Sequence, residues 1–288
     1  MKKNIASVHR ARAPHMVGDG LPVRNVFSYT DLGKRELSPF LMLDYGMPSQ
    51  FPPTEEILGV GMHPHRGFET VTIAFQGRLQ HRDTAGNHGE IGPGDVQWMT
   101  AGSGVLHEEL HAPAFRNSGG TLQMLQLWVN LPAALKMSAP KYQTLENSQI
   151  PVVEVGESAK VRVISGAFGE TKGPADTFTP INLWDVQLSS GEISLTVSEG
   201  YTTAIFVMEG KVTINGVQEV GDSTLVVFER EGAEILISAS EDARLIVLNG
   251  EPINEPVVGY GPFVMNTQEE IAQAMKDFSG GRFAGAKR

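Results

Sequence analysis

The chain has 288 residues, no cysteine and a formal net charge of −10 at pH 7, with 41% hydrophobic and 19% charged residues. The lack of cysteine excludes disulfides, thiolate metal ligands and cysteine nucleophiles, and the negative charge disfavours direct binding to nucleic acid. No apolar run follows the basic start, and no stretch reaches the ~18 consecutive apolar residues of a membrane helix, so we expect a soluble, cytoplasmic protein without a membrane partner.

The first half of the chain contains short apolar segments separated by turns. A pair of histidines precedes one of these segments. His63 and His65 flank a proline just before the segment ETVTIAF, and the turn letters PGD at Pro93 precede VQWM. Because side chains alternate between the two faces of a strand, residues two apart point the same way. A strand here would therefore place both imidazoles on one face.

A second polar pair follows at His107-Glu108-Glu109. The same alternation predicts that His107 and Glu109 share a face and that Glu108 points away from it. All eight histidines lie within the first 111 residues. Imidazole chemistry is therefore possible only in the first half of the chain.

The second half repeats the organisation of the first. The stretch 139–148 is polar and is interpreted as a linker, which divides the chain into domains 1–138 and 139–288. The letters GDS at Gly221 correspond to GDV at Gly94 in the first half. We infer two β units of related build, an all-β fold of the sandwich or barrel type.

Two local signals in the second half are clear. Asn215 and Gly216 separate two alternating runs, which predicts a hairpin because both residues tolerate positive φ. Thr267 and Glu270 form a capping box, and apolar residues recur at helical spacing from Ile271 before a Gly-Gly pair. The sequence therefore predicts one short C-terminal helix after a run of strands.

The two polar pairs together predict a metal site. Three imidazoles and one carboxylate, from His63, His65, His107 and Glu109, suit one divalent transition metal such as Fe, Mn, Ni, Cu, Co or Zn. Four protein ligands leave positions open for a substrate or O₂ on a six-coordinate ion. The alternative is that each pair is only a polar surface feature, which is the commoner meaning of an isolated His-x-His. Both pairs in the same half of the chain favour ligation.

The segment from Met62 to Glu109, which begins MHPHRGFETV and contains PGDVQWMTAG, resembles the pirin family. Agreement extends from about Asp19 to Phe283 through the segments VGDGLPV, SPFLMLDYG, LQLWVNLP and GPFVMNTQEEI. The resemblance implies two tandem cupin β-barrels, with a short C-terminal helix packed on the N-terminal domain. It also implies that Fe(II) is the metal in the N-terminal barrel. The C-terminal domain, which lacks histidine, would only brace the N-terminal one.

The resemblance assigns the iron ligands to the residues of the two polar pairs, His63, His65, His107 and Glu109. The general cupin pattern has a further ligand position that falls on Glu69, which the pirin pattern does not use. Other histidines are possible alternatives. His111 shares the strand parity of His107 and could replace a ligand, whereas His81 and His88 are expected near the cavity mouth as solvated or supporting side chains.

The resemblance also implies a reaction, because some pirins are similar to quercetin 2,3-dioxygenases. In that reaction the flavonol hydroxyl binds at the metal, Glu109 accepts its proton as general base, and O₂ cleaves the ring with release of carbon monoxide. The alternative is a redox- or metal-dependent regulatory cofactor that binds a transcription regulator or a metabolic enzyme. A metal-free scaffold is the third hypothesis, and the complete ligand set argues against it.

Overall fold

The computed structural model describes residues 1–32 and 36–283 of the chain. The chain forms two compact units. One contains residues 13–32, 40–147 and 253–283, and the other contains Ser148–Pro252 together with Met1–Arg12. We call them the first barrel and the second barrel. Each has a seven-stranded and a four-stranded antiparallel sheet.

The first barrel encloses its interior between these two sheets. The larger sheet has the order β12 (Lys141–Leu145), β9 (Val96–Thr100), β6 (Phe68–Gln76), β11 (Gly120–Asn130), β4 (Phe40–Phe51), β3 (Leu21–Phe27) and β2 (His15–Val17). The smaller sheet has the order β5 (Gly59–His65), β10 (Val105–His111), β7 (Leu79–Asp83) and β8 (His88–Ile91). One part of the interior is apolar and is filled by Leu21, Val23, Ala74, Leu79, Ile91, Phe115, Leu122 and Met124.

The second barrel has the same strand plan. Its larger sheet has the order β1 (Ile5–Arg10), β22 (Thr224–Phe228), β19 (Thr202–Glu209), β24 (Ala243–Gly250), β17 (Ile181–Leu188), β14 (Ala159–Ser165) and β13 (Val152–Val155). Its smaller sheet has the order β18 (Gly191–Thr196), β23 (Glu234–Ala239), β20 (Val212–Ile214) and β21 (Gln218–Val220). Two small hairpins complete the β structure, β15 (Ala167–Phe168) with β16 (Thr171–Lys172) and β25 (Val258–Tyr260) with β26 (Phe263–Met265).

The matched strand orders confirm the predicted repeat. The turns before the corresponding strands β9 and β22 lie at Pro93-Gly94 and at Asp222-Ser223, and their second residues have positive φ values of 89° and 54°. The letters GDV and GDS thus mark the same turn with an offset of two residues. The hairpin at Asn215 and Gly216 is also confirmed, since it joins β20 to β21 with φ values of 55° and 72°. The residues typical of turns therefore predicted where strands of this fold end.

Sequence order and spatial order differ at three places. Strand β1 pairs with β22, so the first residues of the chain complete the second barrel. Strand β12 pairs with β9, so the interpretation of 139–148 as a linker is wrong at Lys141–Leu145. Residues 253–283 belong to the first barrel. The domain boundary at 138/139 stays a prediction. Strand β1 lies before this boundary and pairs within the second barrel, whereas β12 lies after it and pairs within the first barrel.

The described residues include two α-helices, α1 (Pro113–Ser118), which the sequence analysis missed, and α2 (Gln268–Ser279). Helix α2 has the predicted capping box, and its residue Asp277 forms an ion pair of 2.8 Å with Arg66 of the first barrel. Its apolar face is only partly buried, because Met275 is 44% exposed. Neither helix has the length and apolar character needed to cross a membrane.

Candidate metal centre

Three imidazoles converge where β5 and β10 pair. In this antiparallel register His63 lies opposite His107, and His65 lies opposite Val105, one strand period away. Because residues two apart share a strand face, all three side chains enter the same space. Their ring centroids are 4.2–4.9 Å apart, and one ring nitrogen from each lies within 4.8 Å of the others. The predicted convergence of the histidines is therefore present.

The donor atoms of this cluster fit a metal ion. His65 and His107 are 4% and 0% exposed, and burial, reinforced by the neighbouring imidazoles, holds the pKa of each well below its usual value. Neutral imidazole is the form that offers a lone pair to a metal. His65 Nδ1 and His107 Nε2 are buried without a hydrogen-bond partner. Such orphaned nitrogens are costly unless a ligand satisfies them, so the residues present suit a borderline divalent cation.

Glu109 lies on the same strand face as His107 and is 2% exposed, but hydrogen bonds hold its carboxylate. Thr72 Oγ1 donates to Glu109 Oε1 at 2.8 Å, Gln97 Nε2 donates to the same oxygen, and Gln126 Nε2 donates to Oε2 at 2.7 Å. Among the described residues, the group of converging ligand atoms consists of the three histidines and does not include Glu109. Its role as the fourth ligand stays a prediction.

The three residues that hold Glu109 form one row across the larger sheet, and the sequence analysis did not identify them. Thr72 on β6 pairs with Gln97 on β9 and with Gln126 on β11, so all three side chains project to the same side. The only signal in the sequence is a polar residue at an inward position of each apolar strand. That signal could have selected them once the strand faces were known.

The alternative ligands of the sequence analysis lie elsewhere. His111 Nε2 is 2.8 Å from the carbonyl of Gly20, and its ring meets Phe51 at 4.6 Å in the apolar part of the interior. Glu69 accepts a hydrogen bond of 2.7 Å from the Thr100 hydroxyl. It has the opposite parity to Thr72 on β6, so its carboxylate points away from the cluster. His88 is exposed on β8.

His81 and Asp83 support the cluster from β7. Both side chains are fully buried, His81 Nδ1 is 3.4 Å from His107 Nδ1, and His81 Nε2 is 3.2 Å from Asp83 Oδ2. The His81 ring also stacks on Tyr142 at 4.5 Å. Burial raises the pKa of Asp83, but hydrogen bonds from His81 and Asn87 outweigh it, so the pKa lies below its usual value. A carboxylate thus faces the far side of the imidazole beside His107.

The surroundings of the cluster are aromatic on one side and charged on the outside. The ring of His65 meets Phe68 at 5.0 Å and Trp128 at 5.1 Å, edge to face. Glu108 lies on the opposite face of β10, where it forms an ion pair of 2.8 Å with the exposed Arg82. The strand thus separates an interior with imidazoles and aromatic rings from an outer face with charged side chains.

Comparisons with known proteins agree with this architecture. The Pirin family model matches residues 20–129, and the Pirin C-terminal cupin domain model matches residues 183–284. A Pseudomonas aeruginosa protein named "Putative quercetin 2,3-dioxygenase" is 50% identical over 98% of both chains. A Caulobacter vibrioides pirin-like protein is 43% identical over 85% of this chain and 87% of its own. The crystal structure of quercetin 2,3-dioxygenase from Acinetobacter baumannii is 49% identical, covers 100% of both chains and superposes with a TM-score of 0.96.

Proposed function

Because the chain belongs to the pirin family, we propose that it binds one divalent transition metal, Fe(II), through His63, His65, His107 and Glu109. We further propose that it cleaves a flavonol-like aromatic substrate by a quercetin 2,3-dioxygenase type of reaction. The observation that carries the proposal is the convergence of three buried or half-buried imidazoles, two of them with an orphaned ring nitrogen. Relatives named for the same activity support it.

The proposed chemistry divides between the ion and the protein. A bound ion of this kind would supply Lewis acidity toward a substrate oxygen and access to O₂. The protein supplies the proton acceptor, Glu109. Its Oε1 already accepts two hydrogen bonds, whereas Oε2 accepts one, from Gln126. Since a carboxylate oxygen has two lone pairs, Oε2 keeps one. That lone pair would bind the ion in the resting site and would take the proton of a substrate hydroxyl when Glu109 releases the ion.

The aromatic side chains beside the cluster would orient the substrate. Phe68 and Trp128 stack on each other with centroids 4.3 Å apart and both border His65. A planar aromatic substrate bound at the cluster would meet this apolar surface, which excludes water from one side of the reacting ring. Binding, orientation and proton transfer are thus assigned to residues of one barrel.

The test is turnover of quercetin by the Fe(II)-loaded full chain, followed by O₂ uptake and by release of carbon monoxide. Glu109→Gln is expected to keep bound iron, measured by metal analysis, and to lose turnover by about 100-fold or more, the usual size of a general-base contribution. Glu108→Gln is the matched control, because it makes the same chemical change one residue away on the outer face, and it should turn over like the unmodified protein. Equal turnover by both variants would remove Glu109 from its proposed role.

The regulatory alternative predicts a different outcome for the same iron-loaded protein. The iron-loaded chain would turn over no flavonol and would capture a defined protein partner in one oxidation state of the iron only. No feature of the described residues favours that function over catalysis, and it stays a prediction, as does the cytoplasmic location.

A further inference from the structure

A buried chain of three side chains leads from the candidate metal centre to the tip of the β7–β8 hairpin. Asp83 and His107 are cross-strand neighbours of β7 and β10, and His81 is two residues before Asp83 on the same face. The contacts run in series, from Asp83 Oδ2 to His81 Nε2 at 3.2 Å and from His81 Nδ1 to His107 Nδ1 at 3.4 Å. All three side chains lie in the interior, at or below 6% exposure.

Each contact in this series fixes the position of one hydrogen. An ionised carboxylate can only accept, so His81 Nε2 must carry its hydrogen and donate it to Asp83. With a single N–H on the His81 ring, Nδ1 is then an acceptor. His107 Nδ1 must therefore carry the hydrogen of that ring, which leaves the lone pair of His107 on Nε2. This is the nitrogen that is buried without a partner beside His63 and His65.

We propose that Asp83 and His81 are positioning residues that hold His107 in the one tautomer able to bind a metal through Nε2. The inference rests on the metal site proposed above. It adds that His81 orients the ligand His107 and that Asp83 orients His81. His63 has the simpler form of the same support, because its Nδ1 lies 2.8 Å from the carbonyl of Gly61. Ligand histidines commonly carry such a partner on the second nitrogen, and its loss weakens metal binding.

The hairpin turn orients Asp83 and so makes the arrangement testable. Asp83 Oδ1 accepts from the backbone N–H groups of Ala85 and Asn87, both at 2.9 Å, and Oδ2 faces His81 and also accepts from Asn87 Nδ2 at 2.9 Å. In Asp83→Asn the side-chain oxygen must stay toward the two backbone N–H groups. The amide NH₂ then faces His81 Nε2, which can only accept from it, and the side-chain amide of Asn87 can turn to present its oxygen. The hydrogen of His81 would move to Nδ1, that of His107 would move to Nε2, and the metal-binding lone pair would be lost.

The first experiment reads the tautomers directly in the metal-free full chain. Long-range ¹H–¹⁵N correlation spectra of protein labelled with ¹⁵N-histidine distinguish Nδ1–H from Nε2–H imidazoles, and the signals are assigned by substitution. We expect His107 as Nδ1–H and His81 as Nε2–H, and we expect both to reverse in Asp83→Asn. A His107 that is Nε2–H in the unmodified chain would overturn the proposal.

The second experiment measures Co(II) affinity from the absorption bands of the bound ion. Two variants of His81 separate the effect of the hydrogen-bond acceptor from the effect of shape. In His81→Asn the side-chain oxygen can occupy the place of His81 Nδ1. In His81→Leu the side chain has nearly the same shape as asparagine and no acceptor. Both lose the stacking on Tyr142. We expect His81→Leu and Asp83→Asn to weaken Co(II) binding by roughly 10–100-fold and His81→Asn to bind about tenfold more tightly than His81→Leu.

The two proposals fail in different ways. If the unmodified chain binds no Co(II), Fe(II) or Ni(II), the metal site is wrong, while the tautomers of the metal-free chain still test the hydrogen-bond series. If the unmodified chain binds metal and the Asn and Leu variants at position 81 bind equally, His81 has only a packing role and the positioning proposal is wrong.

Discussion

The two barrels have the same strand plan and opposite interiors. In the first barrel His107 lies between His63 and Asp83 of the neighbouring strands. The corresponding three strands of the second barrel place Ile237 between Ile193 and Ile214, and all three isoleucines are part of a continuous apolar core. The fold therefore does not require polar side chains at this place in the sheet.

The contrast extends to the larger sheets. Across one row the first barrel carries Gln97, Thr72 and Gln126, all directed at Glu109, whereas the corresponding strands of the second barrel carry Val226, Ile205 and Val247. Buried polar groups cost free energy unless they are satisfied, and buried aliphatic groups stabilise the fold. The second barrel shows what packing alone selects, so the departures in the first barrel mark the residues that serve chemistry.

The largest difference between the barrels is expected in iron retention, when a proposed ligand is removed from the first barrel. His63→Ala and His107→Ala are each expected to abolish iron retention, because the loss of one imidazole leaves too few ligands at the cluster. Metal analysis of the purified variants measures this. His88→Ala is the control, since His88 is exposed on a strand of the same sheet. Iron retained by His107→Ala at the level of the control would mean that the site lies elsewhere.

The second barrel should respond to the corresponding change in stability and not in metal content. Ile237→Ala removes a fully buried side chain and is expected to lower the free energy of unfolding by about 2–5 kcal/mol, the usual cost of such a cavity. Chemical denaturation of the metal-free chain checks the value, and metal analysis at a temperature where the variant is folded should give unchanged iron. A loss of iron without a loss of stability would contradict the division of roles between the barrels.

The sequence predicted those parts of the site that depend on neighbours along the chain. Strand alternation is local, so the shared face of His63 and His65 followed from their spacing alone. His81 was expected as a solvated or supporting side chain, but its contact with His107 was not predicted. The register between β7 and β10 joins residues 26 apart, and the hairpin signal does not specify which residues of β10 face it. The pairing of β1 with β22 also joins residues far apart in the chain, so no local sequence pattern predicts it.

Polar residues that act through hydrogen bonds were harder to predict than ligands. Gln97 stands alone in an apolar segment and Gln126 shares its segment with Gln123, three residues earlier, and amides at these positions have no distinctive spacing. Helix α1 is only six residues long, too short for a helical period to emerge. The fold class, the repeat and three converging ligands were thus accessible from the sequence, and the support around them required the register of the sheets.

The row that holds Glu109 allows a finer test of the contrast. Gln126→Leu makes the first barrel more like the second and removes the donor to Glu109 Oε2, which is expected to cost about 1–3 kcal/mol of stability because a buried acceptor loses its partner. It should also change Co(II) affinity, by up to about tenfold, if Glu109 is a ligand or supports one. Thermal denaturation and Co(II) titration measure the two effects.

The matched control for that variant is Gln123→Leu on the same strand. Gln123 is 2% exposed and donates to the Tyr45 hydroxyl at 3.0 Å. Its loss should lower stability by a similar amount and leave Co(II) affinity unchanged. Equal effects of the two variants on Co(II) affinity would show that the Glu109 row influences the metal only through the stability of the barrel.

The smallest effect is expected on the outer face, where the two barrels are alike. Glu108 lies between His107 and Glu109 on β10, and its counterpart on β23 is Ser238, so both strands present a polar side chain outward. Glu108→Ala removes an ion pair with Arg82, which is 68% exposed and is therefore worth at most about 0.5 kcal/mol. Metal content and quercetin turnover should both stay unchanged, since the side chain is directed away from the imidazoles. A loss of iron in Glu108→Ala, with normal stability, would mean that strand parity does not separate the inner from the outer face, and the contrast between the barrels would lose its basis.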